Sequence, residues 1–173
     1  ITSFLNDDRV LFLDYDENKS ISLRQNQAAE KAKGEFISLL YADDYYLPSK
    51  IEHQVKIFAG LSNEWGVVHG PGIELDAQTG IEQPISSTKA HGNCFIRLLK
   101  DYSDGFINPI SPLVRTKTYM EFPLYEDMFS EGESIYWRIA LKHKFFYSDT
   151  PLVVMRYHEK NMGKAIKKNM EMH

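Results

Sequence analysis

Two adjacent carboxylates, Asp43 and Asp44, follow closely on the apolar run at residues 36–40. Carboxylates at the end of a buried strand are costly unless water, a cation or hydrogen-bond donors surround them. Mg²⁺ and Mn²⁺ take oxygen ligands, often only one or two from the protein, with phosphate oxygens and water completing the shell. The pair therefore suits a divalent ion whose coordination a substrate diphosphate completes, the ion acting as a Lewis acid toward a departing nucleoside diphosphate. The same two residues equally suit a local role, capping the helix that follows. From the pair alone the two readings stand level.

Other side chains capable of chemistry are scattered. Arg156 and His158 are close enough in sequence to approach a diphosphate or metal together, or to form a plain surface pair. His69 falls at a strand end, where a lone histidine is expected to be structural, and His53 is expected on an exposed helix face. His91 and His143 carry no motif. No Ser-His-Asp or Cys-His arrangement can be read from spacing, and no glycine-rich phosphate loop is present.

The elements that must position these groups follow from periodicity and punctuation. Residues 10–13 (VLFL) read as a short buried strand. Ser20 or Ser22 caps a helix to about Lys33, which Gly34 ends. Residues 36–40 read as a strand covered on both faces, as in parallel sheets. Pro48 suits the first turn of a helix from about Leu47 to Phe58. Residues 65–69 and 73–75 read as strands, and residues 76–80 (DAQTG) as a turn, plausibly of a hairpin. Residues 81–92 are loop-like. Short helices are expected at 94–100 and 117–122, and a strand within 107–115 interrupted by Pro109 and Pro112. A helix starting at Ser130 or Ser134 runs through Lys142, with short strands at 145–147 and 152–155 and a polar tail beyond. Alternating strands and helices predict an α/β domain, with Asp43 and Asp44 at the carboxyl end of a strand, where open sheets bind ligands.

Bulk composition sets the outer limits. The chain has 173 residues, 43% of them hydrophobic and 25% charged, which is ordinary globular composition for one domain. The net charge of −4 and pI of 5.9 are unlike a nucleic-acid binder's basic footprint. The one basic cluster, Lys164, Lys167 and Lys168, reads as a solvated tail. Cys94 is the only cysteine, so no intramolecular disulfide is possible, which fits a reducing cytosol. No stretch approaches the roughly 18 apolar residues of a membrane span. There is no initiator Met and no signal-peptide pattern, and the chain is expected to be trimmed at its start.

One ordered set of residues carries a family resemblance. Asn26, Ala32-Lys33-Gly34-Glu35, Phe36-Ile37, Leu39-Leu40, Ala42-Asp43-Asp44 and Leu47-Pro48 resemble the central block of family 2 glycosyltransferases. Downstream, Val67-Val68-His69-Gly70 with Asp76 and Gly80 is similar to the family's strand and Asp-x-x-Gly turn. Ser111 to Arg115 with Phe122, Glu131 with Trp137-Arg138, and Pro151-Leu152 with Arg156 and His158 extend the likeness over nearly the whole chain.

The resemblance implies a GT-A (Rossmann-like) fold, with a mixed, mainly parallel sheet flanked by helices and lacking its first strands. One domain is expected over 1–173, the donor side at about 1–76 and the acceptor side at about 77–173. It implies inverting transfer of a sugar from a UDP- or dTDP-linked donor to a glycan or lipid-linked acceptor in polysaccharide synthesis. Mg or Mn would be held by Asp43 and Asp44. Asn26, Asp43, Asp44, Arg156 and His158 would form the donor side, with Gln25 beside Asn26 organising the helix there. The enzyme would be cytoplasmic or peripheral at the inner face of the membrane, with a homodimer as an option.

Three departures from the family pattern bear on activity. Tyr41 stands where an additional Asp is common. Gly132 aligns with the usual Asp base, leaving Glu131, Glu133 or Asp127 to take the acceptor's proton; Glu131 and Glu133 also suit a helix N-terminus. The opening Pro-x-Tyr-Asn and Asp-Gly-Ser motifs are absent. These departures keep three rivals in view: a non-catalytic binding domain of the same fold, a metal-dependent nucleotide-sugar hydrolase, and a structural α/β module.

Overall fold

The computed structural model describes residues 6–17, 19–100, 107–128, 131–132 and 134–158. The C-terminal tail with its three lysines, Ser130 and Glu133 lie outside the described residues.

Helix α1 (Ile21–Lys31) begins where Ser20 Oγ accepts the Leu23 amide at 3.2 Å, satisfying one of the open amides of the first turn. Strand β1 (Phe36–Ile37) and strand β2 (Tyr45–Tyr46) flank the acidic pair, and helix α2 (Lys50–Ala59) follows. Next come β3 (Trp65–His69), β4 (Gly72–Asp76) and β5 (Glu82–Pro84). Helix α3 (Phe95–Lys100), β6 (Leu113–Arg115), α4 (Thr116–Glu121), α5 (Ser134–Ala140), β7 (Lys144–Tyr147) and β8 (Val153–Tyr157) complete the order.

Among the described residues the strands form two four-stranded sheets, ordered β1-β6-β3-β7 and β2-β8-β4-β5. In the first, neighbouring residues of β3 face opposite ways. Val67 joins Val114 and Phe145 in the larger core, packed under α4 and α5 through Tyr119, Ile135, Tyr136 and Ile139. Val68 and Leu113 face the other side and meet Phe58 of α2. Helices thus cover both faces, which is the reason β3 and β6 are apolar at consecutive positions. The second sheet is a small platform whose apolar side, Val153 with Tyr46 and Met155, packs on Ile110 and Leu152.

The architecture is the expected mixed α/β arrangement, with corrections of detail. Among the described residues the pairings are antiparallel for β1·β6, β3·β6, β2·β8 and β4·β5, and parallel for β3·β7 and β4·β8; parallel pairs are not the majority. Residues 10–13 are not a strand: they have no ladder partner among the described residues, and Leu11 and Phe12 are exposed. The run at 36–40 is covered on both faces only over β1, where Phe36 packs on Phe58 and Ile37 on the larger core. Only Phe36–Ile37 pairs, antiparallel to β6, and Leu40 is half exposed because the chain leaves the sheet at Ser38. Pro112 and Pro109 cut the strand expected within 107–115 down to Leu113–Arg115. Helix α2 starts at Lys50, past Pro48. The hairpin around residues 76–80 is present as β4–β5, closed by the Gly80 amide on Asp76 O at 2.8 Å.

Candidate functional site

The acidic pair sits in a tight turn rather than in a strand. The Asp44 amide donates to Tyr41 O at 3.2 Å, reversing the chain between β1 and β2. Strand β2 then pairs with β8, Tyr45 opposite Val154 and Tyr46 opposite Val153. This pairing carries the turn to the carboxyl end of β8, where Arg156 and His158 lie. Asp44 Oδ1 accepts the Arg156 amide at 3.0 Å. The Arg156 guanidinium Nε donates to the Asp43 backbone carbonyl. His158 Nε2 lies 3.1 Å from Asp43 Oδ2, each side chain about one-third exposed.

Four of the five expected donor-side residues therefore meet in one place, brought together across more than 100 residues of chain. The Asp44 carboxyl is held above the ordinary aspartate value, first by burial, with the neighbouring Asp43 charge adding to the effect and the Arg156 amide opposing it. Two crowded carboxylates at a partly open edge have the donor chemistry of a Mg²⁺ or Mn²⁺ site. Among the described residues, no group of three or more His, Cys, Asp or Glu side chains converges as a closed metal cage. The donor set fits an ion whose remaining ligands come from phosphate and water, and the residues that would hold it are Asp43 and Asp44.

Asn26 is elsewhere. It is buried, its Nδ2 donating to Leu124 O and Glu126 Oε1 and its Oδ1 accepting the Leu124 amide, all at 2.9 Å. It ties α1 to the segment before α5. Glu131 is also engaged in structure. Its carboxylate, fully shielded, takes Arg138 Nε at 2.9 Å, Arg138 Nη2 at 2.8 Å and the Tyr125 amide at 2.7 Å. The structure thus places Glu131 as a shielded carboxylate held by three donors, not as a group open to an acceptor hydroxyl. Gly132 has a φ of +61°, a left-handed conformation that glycine adopts at least cost. Asp127 is exposed.

His69, His53 and Cys94 are engaged in structure. His69 is buried with Nε2 2.8 Å from Ala90 O, and burial pulls its pKa down to about 4. His53 is half-buried and meets Ser148 Oγ at 2.8 Å. Cys94 is buried and its thiol is pushed up to about 11, too high for a nucleophile. Sequence reasoning missed Lys50, fully buried at the start of α2; a lysine carries no local signal of burial.

No family model matches the chain. It is 26% identical over 166 residues, 90% of its length, to a protein of Rickettsia felis named as a glycosyltransferase, and 24% identical over 163 residues to one of Rickettsia bellii. A glycosyltransferase of Rickettsia typhi is 36% identical over 89 residues, half of the chain. The chain spans about a quarter of the length of these curated relatives. Among solved structures, residues 1–349 of TarS from S. aureus superpose with a TM-score of 0.57 at 16% identity, covering 79% of this chain and 40% of that one. The chain is thus similar in sequence, over nine-tenths of its length, to proteins named glycosyltransferases, and similar in fold to TarS.

Proposed function

We propose that this chain is the donor-binding and transfer portion of a glycosyltransferase of the family 2, GT-A kind. It would move a sugar from a UDP- or dTDP-linked donor to a hydroxyl of a glycan or lipid-linked acceptor, with inversion, in polysaccharide synthesis. The observation that carries this reading is the meeting of Asp43, Asp44, Arg156 and His158 at one edge. Similarity to glycosyltransferases across the chain supports it. No helix among the described residues is long and apolar enough to cross a membrane.

In this reading Asp43 and Asp44 hold Mg²⁺ or Mn²⁺, which supplies charge neutralisation at the donor diphosphate. Arg156 adds positive charge on the same side, and its contacts with Asp43 and Asp44 fix the turn before substrate arrives, so little reorganisation is needed at the moment of transfer. His158 orients Asp43. With Glu131 taken up by Arg138, the acceptor's proton falls to Glu133 or Asp127.

The deciding experiment is calorimetry of UDP binding with and without Mn²⁺, on the chain and on Asp43→Ala. Mn²⁺-dependent binding that Asp43→Ala abolishes while circular dichroism is unchanged supports the reading. Binding insensitive to the metal and to Asp43→Ala refutes it. A second reading, a non-catalytic nucleotide-sugar-binding domain, is favoured by Gly132 and by the saturated Glu131. Binding without measurable transfer to any acceptor, in the full-length protein, would support that reading instead.

A further inference from the structure

Lys50 is 0% exposed at the first residue of α2, and among the described residues no carboxylate pairs with it. Its ammonium donates to Ser38 Oγ and to Gln54 Oε1, both at 2.9 Å, and lies 4.2 Å from the centre of the Tyr46 ring. Those three neighbours match its three N–H groups. Each neighbour is itself anchored. Gln54 Nε2 donates to Val68 O at 2.8 Å and to Ser111 O at 3.0 Å, fixing it to β3 and to the turn before β6. Ser38 Oγ donates to Pro112 O at 2.9 Å. Tyr46 OH reaches Ser38 Oγ at 3.0 Å and Leu39 O at 2.5 Å.

The geometry has a consequence for the acidic turn. Ser38 and Tyr46 are the two ends of the loop that carries Asp43 and Asp44, and their side chains close that loop at its base. We propose that Lys50 is a positioning residue: through Ser38, Tyr46 and Gln54 it fixes the base of the Asp43-Asp44 loop to the first sheet while β8 fixes its tip. The functional side of this proposal rests on the donor-site reading above.

Energetics favour the proposal over simple packing. A buried ammonium without a carboxylate is expensive, and an apolar side chain of similar volume would fill the space at lower cost. Burial lowers the Lys50 pKa to about 7, so the position is held by hydrogen bonds rather than by charge pairing. What the amine supplies that methionine cannot is a set of directed hydrogen bonds that join the loop ends to strands packed in the core.

Hydrogen exchange on the whole chain tests this directly. In Lys50→Met the amides of Asp44 and Arg156, which donate to Tyr41 O and Asp44 Oδ1, are expected to exchange at least about tenfold faster, while Val67 and Val68 of β3 keep their protection. The same variant should weaken Mn²⁺-dependent UDP binding by about tenfold. Unchanged exchange at Asp44 and Arg156, or equal acceleration throughout the sheet, overturns the proposal. Tyr46→Phe removes only the hydroxyl that closes the loop and is read against the same local pattern, so the test stands even if Lys50→Met does not fold. If the wild-type chain binds no UDP with Mn²⁺, the donor-site reading fails, while the exchange pattern still decides the role of Lys50.

Discussion

His158 Nε2 and Asp43 Oδ2 meet at 3.1 Å although 115 positions separate them in the chain. Both side chains are about one-third exposed, so solvent screening limits what the contact adds to stability, to about 1 kcal/mol at most. Its value is in orientation. His158→Gln is therefore expected to leave the urea midpoint nearly unchanged and to weaken Mn²⁺-dependent UDP binding by about tenfold. A double-mutant cycle with Asp43→Asn should give a coupling above roughly 0.5 kcal/mol in binding. Additive effects would show that the two residues act independently.

Glu131 and Arg138 form the opposite case, a pair whose carboxylate is wholly shielded. Removing one partner of a wholly buried pair costs about 3–5 kcal/mol, and because Arg138 is 21% exposed and keeps the Pro123 carbonyl the cost here is about 2–3 kcal/mol. Glu131→Gln should therefore lower stability by an amount in that range, seen in denaturant unfolding. Mn²⁺-dependent UDP binding by the fraction that remains folded should be intact. A general base would behave in reverse, with full stability and lost turnover. Normal stability in Glu131→Gln would remove the structural assignment made here.

The pH dependence of stability should carry the signature of His69. Its pKa in the folded chain is about 4, pulled down by burial, against about 6.5 in an unfolded chain. Between those values the unfolded state binds more protons, so stability rises with pH and is lost as pH falls from about 6.5 towards 4. The shift corresponds to roughly 3 kcal/mol. His69→Gln, whose amide can still reach the Ala90 carbonyl, is expected to flatten the stability curve between pH 4 and 6.5. A wild-type slope retained in this variant would assign the dependence to other groups.

What could be read in the sequence was local. Val67-Val68 between Trp65 and the Gly70-Pro71 break announces β3, and Asp76 with Gly80 announces the β4–β5 turn, because side-chain period and turn chemistry act over a few residues. Pairing partners are set at long range. Phe36-Ile37 looks like a parallel strand until β6, nearly 80 residues later, supplies an antiparallel neighbour. Residues 10–13 are as apolar as β3 yet have no ladder to join among the described residues. At the candidate site, Asp43 and Asp44 were legible from their neighbours, and the order of motifs pointed to Arg156 and His158. Which carboxylate engages Arg138 was not legible, although Glu131 lies only seven residues before it. Lys50 was hidden altogether: Ser38, Tyr46 and Gln54 lie within twelve residues of it, but a lysine on a helix carries no local signal of burial.

Asn26 separates the family expectation from the fold most sharply. Resemblance assigns it to the donor side, whereas three hydrogen bonds to Leu124 and Glu126 make it the tie between α1 and the segment before α5. Asn26→Leu removes all three and leaves the Leu124 amide and carbonyl, buried with it, without those partners. Each unsatisfied buried group costs about 1–3 kcal/mol, so a loss of roughly 2–6 kcal/mol is expected in denaturant unfolding. Asn26→Asp keeps the acceptor for the Leu124 amide, loses both donors, and places its charge beside Glu126, so it should be destabilising as well. A donor-binding asparagine would respond differently: Asn26→Leu would raise the Kd for UDP with little change in unfolding. The structure predicts the first pattern, and calorimetry together with urea titration of the same two variants distinguishes them.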